Sequence, residues 1–328
     1  MTNDSRSPLF PVREAQKRTV DLISQTLLKA PPPVFDMTKH LAAAQGKGVR
    51  TLLLLYAAAD GEGLVPRDAM SAAAAVELLH LATLVHDDVI DDAPLRRGIP
   101  TVQCAFGRKQ AVICGDYLLY LAASFMTPLH ADYQEYTTLL STFSTALGRI
   151  CLGELKQFRN NRNLDLLVPD YLRIVSGKTA ALFYLSALAG AIIARHSHDE
   201  AMRLARFGRY LGMVFQIVDD CKDYELSENE AQKTVGKDIA EGVVTLPLIY
   251  AMRNLPELRE LAKQAFDDAA LSKDLARAVC GASGTRSSRG LAARYARKAE
   301  CILAEFPENK SRPLLELLSK SLGAANIY

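Results

Sequence analysis

Two short acidic runs define what chemistry this chain can attempt: Asp87-Asp88-Val89-Ile90-Asp91 and Asp219-Asp220-Cys221-Lys222-Asp223, both spaced D-D-x-x-D. Residues four apart on an α-helix share a face and lie about 6 Å apart along the axis, so Asp87 with Asp91, and Asp219 with Asp223, each present a carboxylate pair to one side. Carboxylates crowded beside apolar residues repel one another and are costly to desolvate, so helices bearing them pack inward only if a cation offsets the charge. Hard oxygen ligands suit magnesium, which keeps several waters and bridges to substrate phosphates. The plainer alternative is a solvated acidic patch at a helix end. The apolar runs before each cluster, Val76 to His86 and Leu211 to Val218, favour a cleft instead.

Cations punctuate the same stretches. Arg96-Arg97-Gly98 follows the first cluster beyond Pro94, where guanidinium forks can grip phosphate oxygens. Gly46-Lys47-Gly48-Val49-Arg50 sets glycines around a lysine just before a helix, a composition suited to an anion. Lys178-Thr179 follows Gly177, and Lys233 and Lys237 follow the second cluster. Each is unremarkable alone. Together with two acidic faces they describe a site for a diphosphate bridged by metals.

The elements that must position these residues read as helices. Ala/Leu-rich segments run from Thr51 to Asp60, Arg67 to His86, Gln110 to Met126, Tyr133 to Phe158 and Asp170 to Arg195, and β-branched alternation never persists. Breaks are expected at Pro31-Pro32-Pro33, Ala93 to Pro100, Asn160 to Asn163, Leu226 to Gly236 and Ser283 to Gly290. None resembles an interdomain linker, which predicts one all-α domain over 1–328, a helix bundle with a central cavity and an N-terminal helical segment, 1–30, packed on it. At 49% hydrophobic residues the chain can bury a large core. A net charge of +2 gives no concentrated basic surplus for nucleic acid. Six scattered cysteines without a C-x-x-C pair argue against structural zinc or a disulfide framework and fit a reducing cytoplasm. The N-terminus does not read as a signal peptide. The longest apolar run, Thr179 to Ala194, is short for a membrane span and reads as a buried helix.

These residues resemble the trans-isoprenyl diphosphate synthases, or polyprenyl synthetases, over nearly the whole chain. His86-Asp87-Asp88-Val89-Ile90-Asp91-Asp92 with Arg96-Arg97-Gly98 is similar to that family's first aspartate-rich motif, and Phe215-Gln216-Ile217-Val218-Asp219-Asp220 to Asp223 to its second. Gly115-Asp116-Tyr117-Leu118, Gly177-Lys178-Thr179-Ala180 and Gly236-Lys237-Asp238 through Thr245-Leu246-Pro247 resemble further blocks in the same order. The resemblance implies an isoprenoid-synthase fold using several magnesium ions, held by Asp87, Asp91 and Asp219, with Asp88, Asp220 and Asp223 as direct or water-mediated ligands. It gives the allylic diphosphate to Arg96, Lys178, Thr179, Gln216 and Lys233, and isopentenyl diphosphate to Lys47, Arg50, His80 and Arg97. The implied reaction ionises an allylic diphosphate and lets isopentenyl diphosphate attack the cation, with Leu226 to Gly236 as a candidate lid that excludes water.

The chain departs from the family pattern at three places. Thr51 follows Arg50 where many relatives have proline, Val243 stands where a lysine is usual, and Asn326-Ile327-Tyr328 lacks a basic tail. A large aromatic four or five residues before the first aspartate stops elongation early in the family. Here Ala82 and Thr83 stand there, so a hydrocarbon channel is expected to continue toward Leu79, Val76 and Ala75. A long-chain product follows, with geranylgeranyl diphosphate as the rival. A class I terpene cyclase and a subunit of a heteromeric synthase are the other readings; family habit suggests a homodimer.

Overall fold

The computed structural model describes residues 8–43, 48–96, 98–126, 133–225 and 237–323. In chain order the helices begin with α1 (Val12–Leu28), α2 (Pro32–Ala42), α3 (Val49–Ala58), α4 (Arg67–Ile90), α5 (Val102–Phe106) and α6 (Arg108–Met126). They continue with α7 (Tyr133–Arg159), α8 (Val168–Lys178), α9 (Ala180–Ile193), α10 (His198–Lys222) and α11 (Lys237–Ala240). The last are α12 (Leu246–Asn254), α13 (Leu258–Asp267), α14 (Ser272–Gly281), α15 (Gly284–Leu303) and α16 (Glu308–Ser321). Strands are confined to two small antiparallel pairs, β1 (Leu9–Pro11) with β2 (Leu64–Pro66), and β3 (Leu95–Arg96) with β4 (Ile99–Pro100). The second pair turns the expected Ala93 to Pro100 break into a hairpin. The all-α class stands.

Two compact units make up the chain. One comprises Met1–Phe143, Leu185–Ala205 and Pro307–Leu314; the other comprises Ser144–Tyr184, Arg206–Phe306 and Leu315–Tyr328. In the first, α4 packs against α1, α3 and α6. It starts after Pro66, whose extended backbone suits the position before a helix, and its run Ala72 to Ala75 is fully buried. Small side chains there let neighbouring helices approach closely. By length and composition α4 could also cross a membrane, but 61% of its apolar window is buried inside the protein. Near the far end of the chain, Lys310 is buried and its Nζ donates to the carbonyls of Ala57 at 2.7 Å and Ala59 at 2.6 Å, satisfying backbone groups that the end of α3 leaves open.

In the second unit α12 packs on α14 and α15. The single helix expected from Asp170 to Arg195 is broken: α8 and α9 meet at Thr179 with a 45° bend. At this break the buried Thr179 hydroxyl donates to Gln216 Oε1 of α10 at 2.7 Å. The break expected from Ser283 to Gly290 is shorter than its composition suggests. Ser283 turns with φ 62°, and α15 runs straight through Gly290. Leu226 to Gly236 lies outside the described residues.

Candidate active site

The first acidic cluster closes α4. Asp88 is buried at 4% exposure, and Arg96 from β3 clamps it, with Nε 2.8 and 2.9 Å from its two carboxylate oxygens and Nη2 2.7 Å from Oδ1. Gln103 seals the turn behind it by donating to the carbonyls of Asp88 and Ala93 at 2.8 and 3.1 Å. Asp87 and Asp91 are only half-buried and share one edge of the helix end. His86 ties that end to α6, its Nε2 3.2 Å from Val112 carbonyl and 3.4 Å from Asp116. Arg96 thus spends its guanidinium on Asp88, a contact the spacing alone did not suggest. Arg97 lies outside the described residues.

The second cluster closes α10 with the same division of labour. Asp220 is buried at 6% exposure while Asp219 is exposed and Asp223 half-buried. Among the described residues no cation pairs with Asp220: Tyr171 hydroxyl donates to it at 2.5 Å and Gln216 Nε2 at 2.7 Å. Burial pushes its carboxyl up to about 6, against the pull of those two donors. Asp219 lies 3.8 Å from Lys222, and Asp223 accepts from the Asp238 amide at 3.0 Å. Tyr224 follows, buried, its hydroxyl 3.0 Å from Thr245 of the Thr245-Leu246-Pro247 block.

The basic residues divide by unit. Arg50 and His80 meet in the first, Nη1 to Nε2 at 3.0 Å. A guanidinium can only donate, so His80 is a neutral acceptor there, with its proton on Nδ1. Burial lowers the Arg50 guanidinium to about 10, partly offset by Glu77, which also accepts from Thr51 hydroxyl at 3.2 Å. In the second unit Lys178 pairs with Glu154 of α7 at 2.7 Å. That pair requires α7 and α8 to cross almost in contact: a Cβ at Gly153 would sit 2.4 Å from Lys178 N, and one at Gly177 would sit 2.9 Å from Arg149 carbonyl. Thr179 and Gln216 join Lys178 through the hydrogen bond at the α8–α9 break. Lys47 and Lys233 lie outside the described residues. Val243 is half-buried, its amide bonded to Asp238 carbonyl at 2.7 Å.

The polyprenyl synthetase family model matches residues 31–280. The chain belongs to the polyprenyl synthetase family. It is 35% identical over 297 residues to heptaprenyl diphosphate synthase component 2 of Geobacillus stearothermophilus, covering 89% of each chain. It is 36% identical to the geranyl-diphosphate-specific all-trans-nonaprenyl-diphosphate synthase of Rhodobacter capsulatus over 78% of each. A polyprenyl synthase of Caulobacter crescentus, solved with calcium and isoprenyl diphosphate, superposes with a TM-score of 0.85 at 31% identity, over 95% of both chains. As a polyprenyl synthetase the chain is a prenyltransferase.

Four residues that contact the predicted site residues escape sequence reasoning: Gln103 and Glu77 in the first unit, Glu154 and Tyr171 in the second. Tyr171 is 49 residues from Asp220 and Glu154 is 24 from Lys178, so nothing local advertises either contact. The face expected to set product length is buried, with Ala75, Leu79 and Ala82 at 0% exposure and Val76 at 1%. Thr83 is half-buried and its hydroxyl donates to His80 carbonyl at 2.8 Å. Among the described residues no three acidic, histidine or cysteine side chains form a ready-made metal cage. Magnesium binds through one or two carboxylates and substrate phosphates and retains its waters, and Asp87 and Asp91 in the first unit and Asp219 in the second are carboxylates of that kind.

Proposed function

We infer that this polyprenyl synthetase condenses isopentenyl diphosphate with an allylic diphosphate such as farnesyl diphosphate, releasing a long-chain all-trans polyprenyl diphosphate and diphosphate. The observation that carries this reading is the repeated design of the two clusters: in each, one aspartate is buried in a structural contact while its neighbours lie nearer the surface at the end of a helix. Asp87, Asp91 and Asp219 would hold magnesium, with Asp88, Asp220 and Asp223 as direct or water-mediated ligands. Bound magnesium supplies Lewis-acid neutralisation of the departing diphosphate.

The chain's own residues do the rest. Lys178, Thr179 and Gln216, with Lys233 and Arg96, hold the allylic diphosphate while its carbon–oxygen bond breaks. Lys47, Arg50, His80 and Arg97 hold isopentenyl diphosphate so that its double bond attacks the allylic carbon. Neutral His80 beside Arg50 adds a hydrogen-bonding group without a second positive charge. The new carbon–carbon bond leaves a cation that sheds a proton to the released diphosphate, so no protein nucleophile is needed. The whole chain acts as one catalytic domain in the cytoplasm.

Incubation with magnesium, isopentenyl diphosphate and farnesyl diphosphate, followed by sizing of the products, is the test. Long-chain polyprenyl diphosphates are expected. A product that stops at geranylgeranyl length would overturn the chain-length reading, and cyclic hydrocarbon without elongation would overturn the transferase reading. Ala82→Phe should shorten the product by filling the face above Asp87, at a folding cost of about 1–3 kcal/mol.

As to assembly, α6 exposes Val112, Ile113 and Tyr120, and α7 exposes Leu152, Leu155 and Phe158, apolar faces of the kind that pair with another chain. We propose a homodimer. The second reading, a catalytic subunit with a different partner, is favoured by the name of the Geobacillus relative, a component 2. Full activity from the purified chain supports the first; activity only after a second protein is added supports the second.

A further inference from the structure

The second unit carries a cleft that none of the assigned residues uses. It holds about 590 Å³ between α7, α8, α10 and α15, a size suited to a small molecule. Arg149, Lys156, Arg173, Arg209 and Lys298 line it, and no carboxylate stands among the lining residues. Arg173 pairs with Asp170 at 2.5 Å just outside; the other four make no ion pair among the described residues. One wall is aromatic: the Tyr210 and Tyr295 rings lie 5.9 Å apart, with Lys298 Nζ 5.9 and 5.4 Å from their centroids. On α8 the lining residues Arg173, Ser176 and Gly177 occupy the face opposite Tyr171, Val175 and Lys178. The cleft therefore backs onto the diphosphate residues without including them.

Cations gathered around a concave surface repel one another and focus a positive potential into it, which an anion relieves. Guanidinium forks match phosphate oxygens, and the Tyr210 and Tyr295 rings, tilted 48° to each other, each offer an aromatic face to whatever the phosphate carries. We propose that this cleft is a second anion site, which takes a diphosphate group, either free or attached to a small planar molecule. The site does not depend on the condensation chemistry.

Calorimetric titration of the full chain with inorganic diphosphate, in chelator to keep divalent metal away from the aspartates, tests it. Binding is expected, weakening as salt rises, and Arg209→Glu with Lys298→Glu should raise the dissociation constant by about tenfold or more. Arg149→Ala should weaken it by a smaller factor, which keeps the test valid if the double variant folds poorly. A parallel titration with ADP separates the sources: tighter binding than inorganic diphosphate means the tyrosine wall reads an attached ring, equal binding means charge alone is read. Identical isotherms for the parent and both cleft variants would overturn the proposal. So would binding that disappears only with Arg50→Ala, or cleft variants that change the sedimentation of the protein and leave diphosphate binding intact.

Discussion

Asp88 and Asp220 occupy the same place in their D-D-x-x-D spacings and are buried alike, at 4% and 6% exposure, yet their surroundings differ in kind. Asp88 faces a guanidinium that contacts both its oxygens. Asp220 faces only neutral donors, a phenol and an amide, and its carboxyl is pushed up to about 6. A paired charge in a low-dielectric setting is held as a charge; a buried carboxyl with dipoles alone pays for its ionisation. Identical motifs can therefore embed two different electrostatic devices. One fixes the end of α4 as a rigid ion pair, and the other leaves the end of α10 sensitive to protons.

The contrast breaks most visibly at Arg96. Arg96→Ala strands Asp88 as a buried charge and should cost about 3–5 kcal/mol in chemical denaturation, whereas a loss under 1 kcal/mol would mean water replaces the guanidinium. At the second cluster Tyr171→Phe removes one neutral donor and should cost about 1–3 kcal/mol. Because that donor favours the ionised form, the same substitution should move the Asp220 titration upward from about 6, read by carbonyl NMR in metal-free protein. A midpoint that moves down would sink this account of the second cluster.

A smaller effect concerns pH. The folded-state pKa of Asp220 lies above its ordinary value of 3.8, so the folded chain holds that proton more tightly than the unfolded one. The stability this contributes is fully present below about 3.8 and is lost as pH rises through about 6. Melting of metal-free protein across that window should show the decline, and Asp220→Asn should flatten it. Smallest is Val243→Lys. The position is half-buried beside Asp238, whose amide donates to Asp223 of the second cluster, and a restored cation there should lower the KM for the allylic diphosphate by about threefold, the scale of one partly screened charge.

Much of this was legible in advance because helix periodicity and spacing are local. The segments from Thr51, Arg67, Gln110 and Tyr133 match α3, α4, α6 and α7 to within a few residues, and the two clusters fall at helix ends as the apolar runs before them suggest. What stayed hidden is what distance in the chain conceals. Composition makes Asp170 to Arg195 look like one helix; the bend falls at Thr179, whose hydroxyl partner Gln216 lies 37 residues on. Local sequence assigns Arg96 a phosphate to hold but not its contact with Asp88, which the hairpin β3–β4 brings about. The unequal fates of Asp88 and Asp220 follow from partners that no local pattern names.

Lys310 gives the order of events during synthesis a physical constraint. Its ammonium closes the carbonyl end of α3 across 253 and 251 residues of chain, and Asn309 beside it donates to Gly61 carbonyl at 2.8 Å. A ribosome releasing this chain from its N-terminus exposes α3 and α4 long before it makes α16. The unit carrying the first aspartate cluster must therefore wait, with its apolar helices already in water, for residues more than 250 positions further along the chain. Its completion is a late event on the ribosome, and the period before it is when a chaperone would find most to bind.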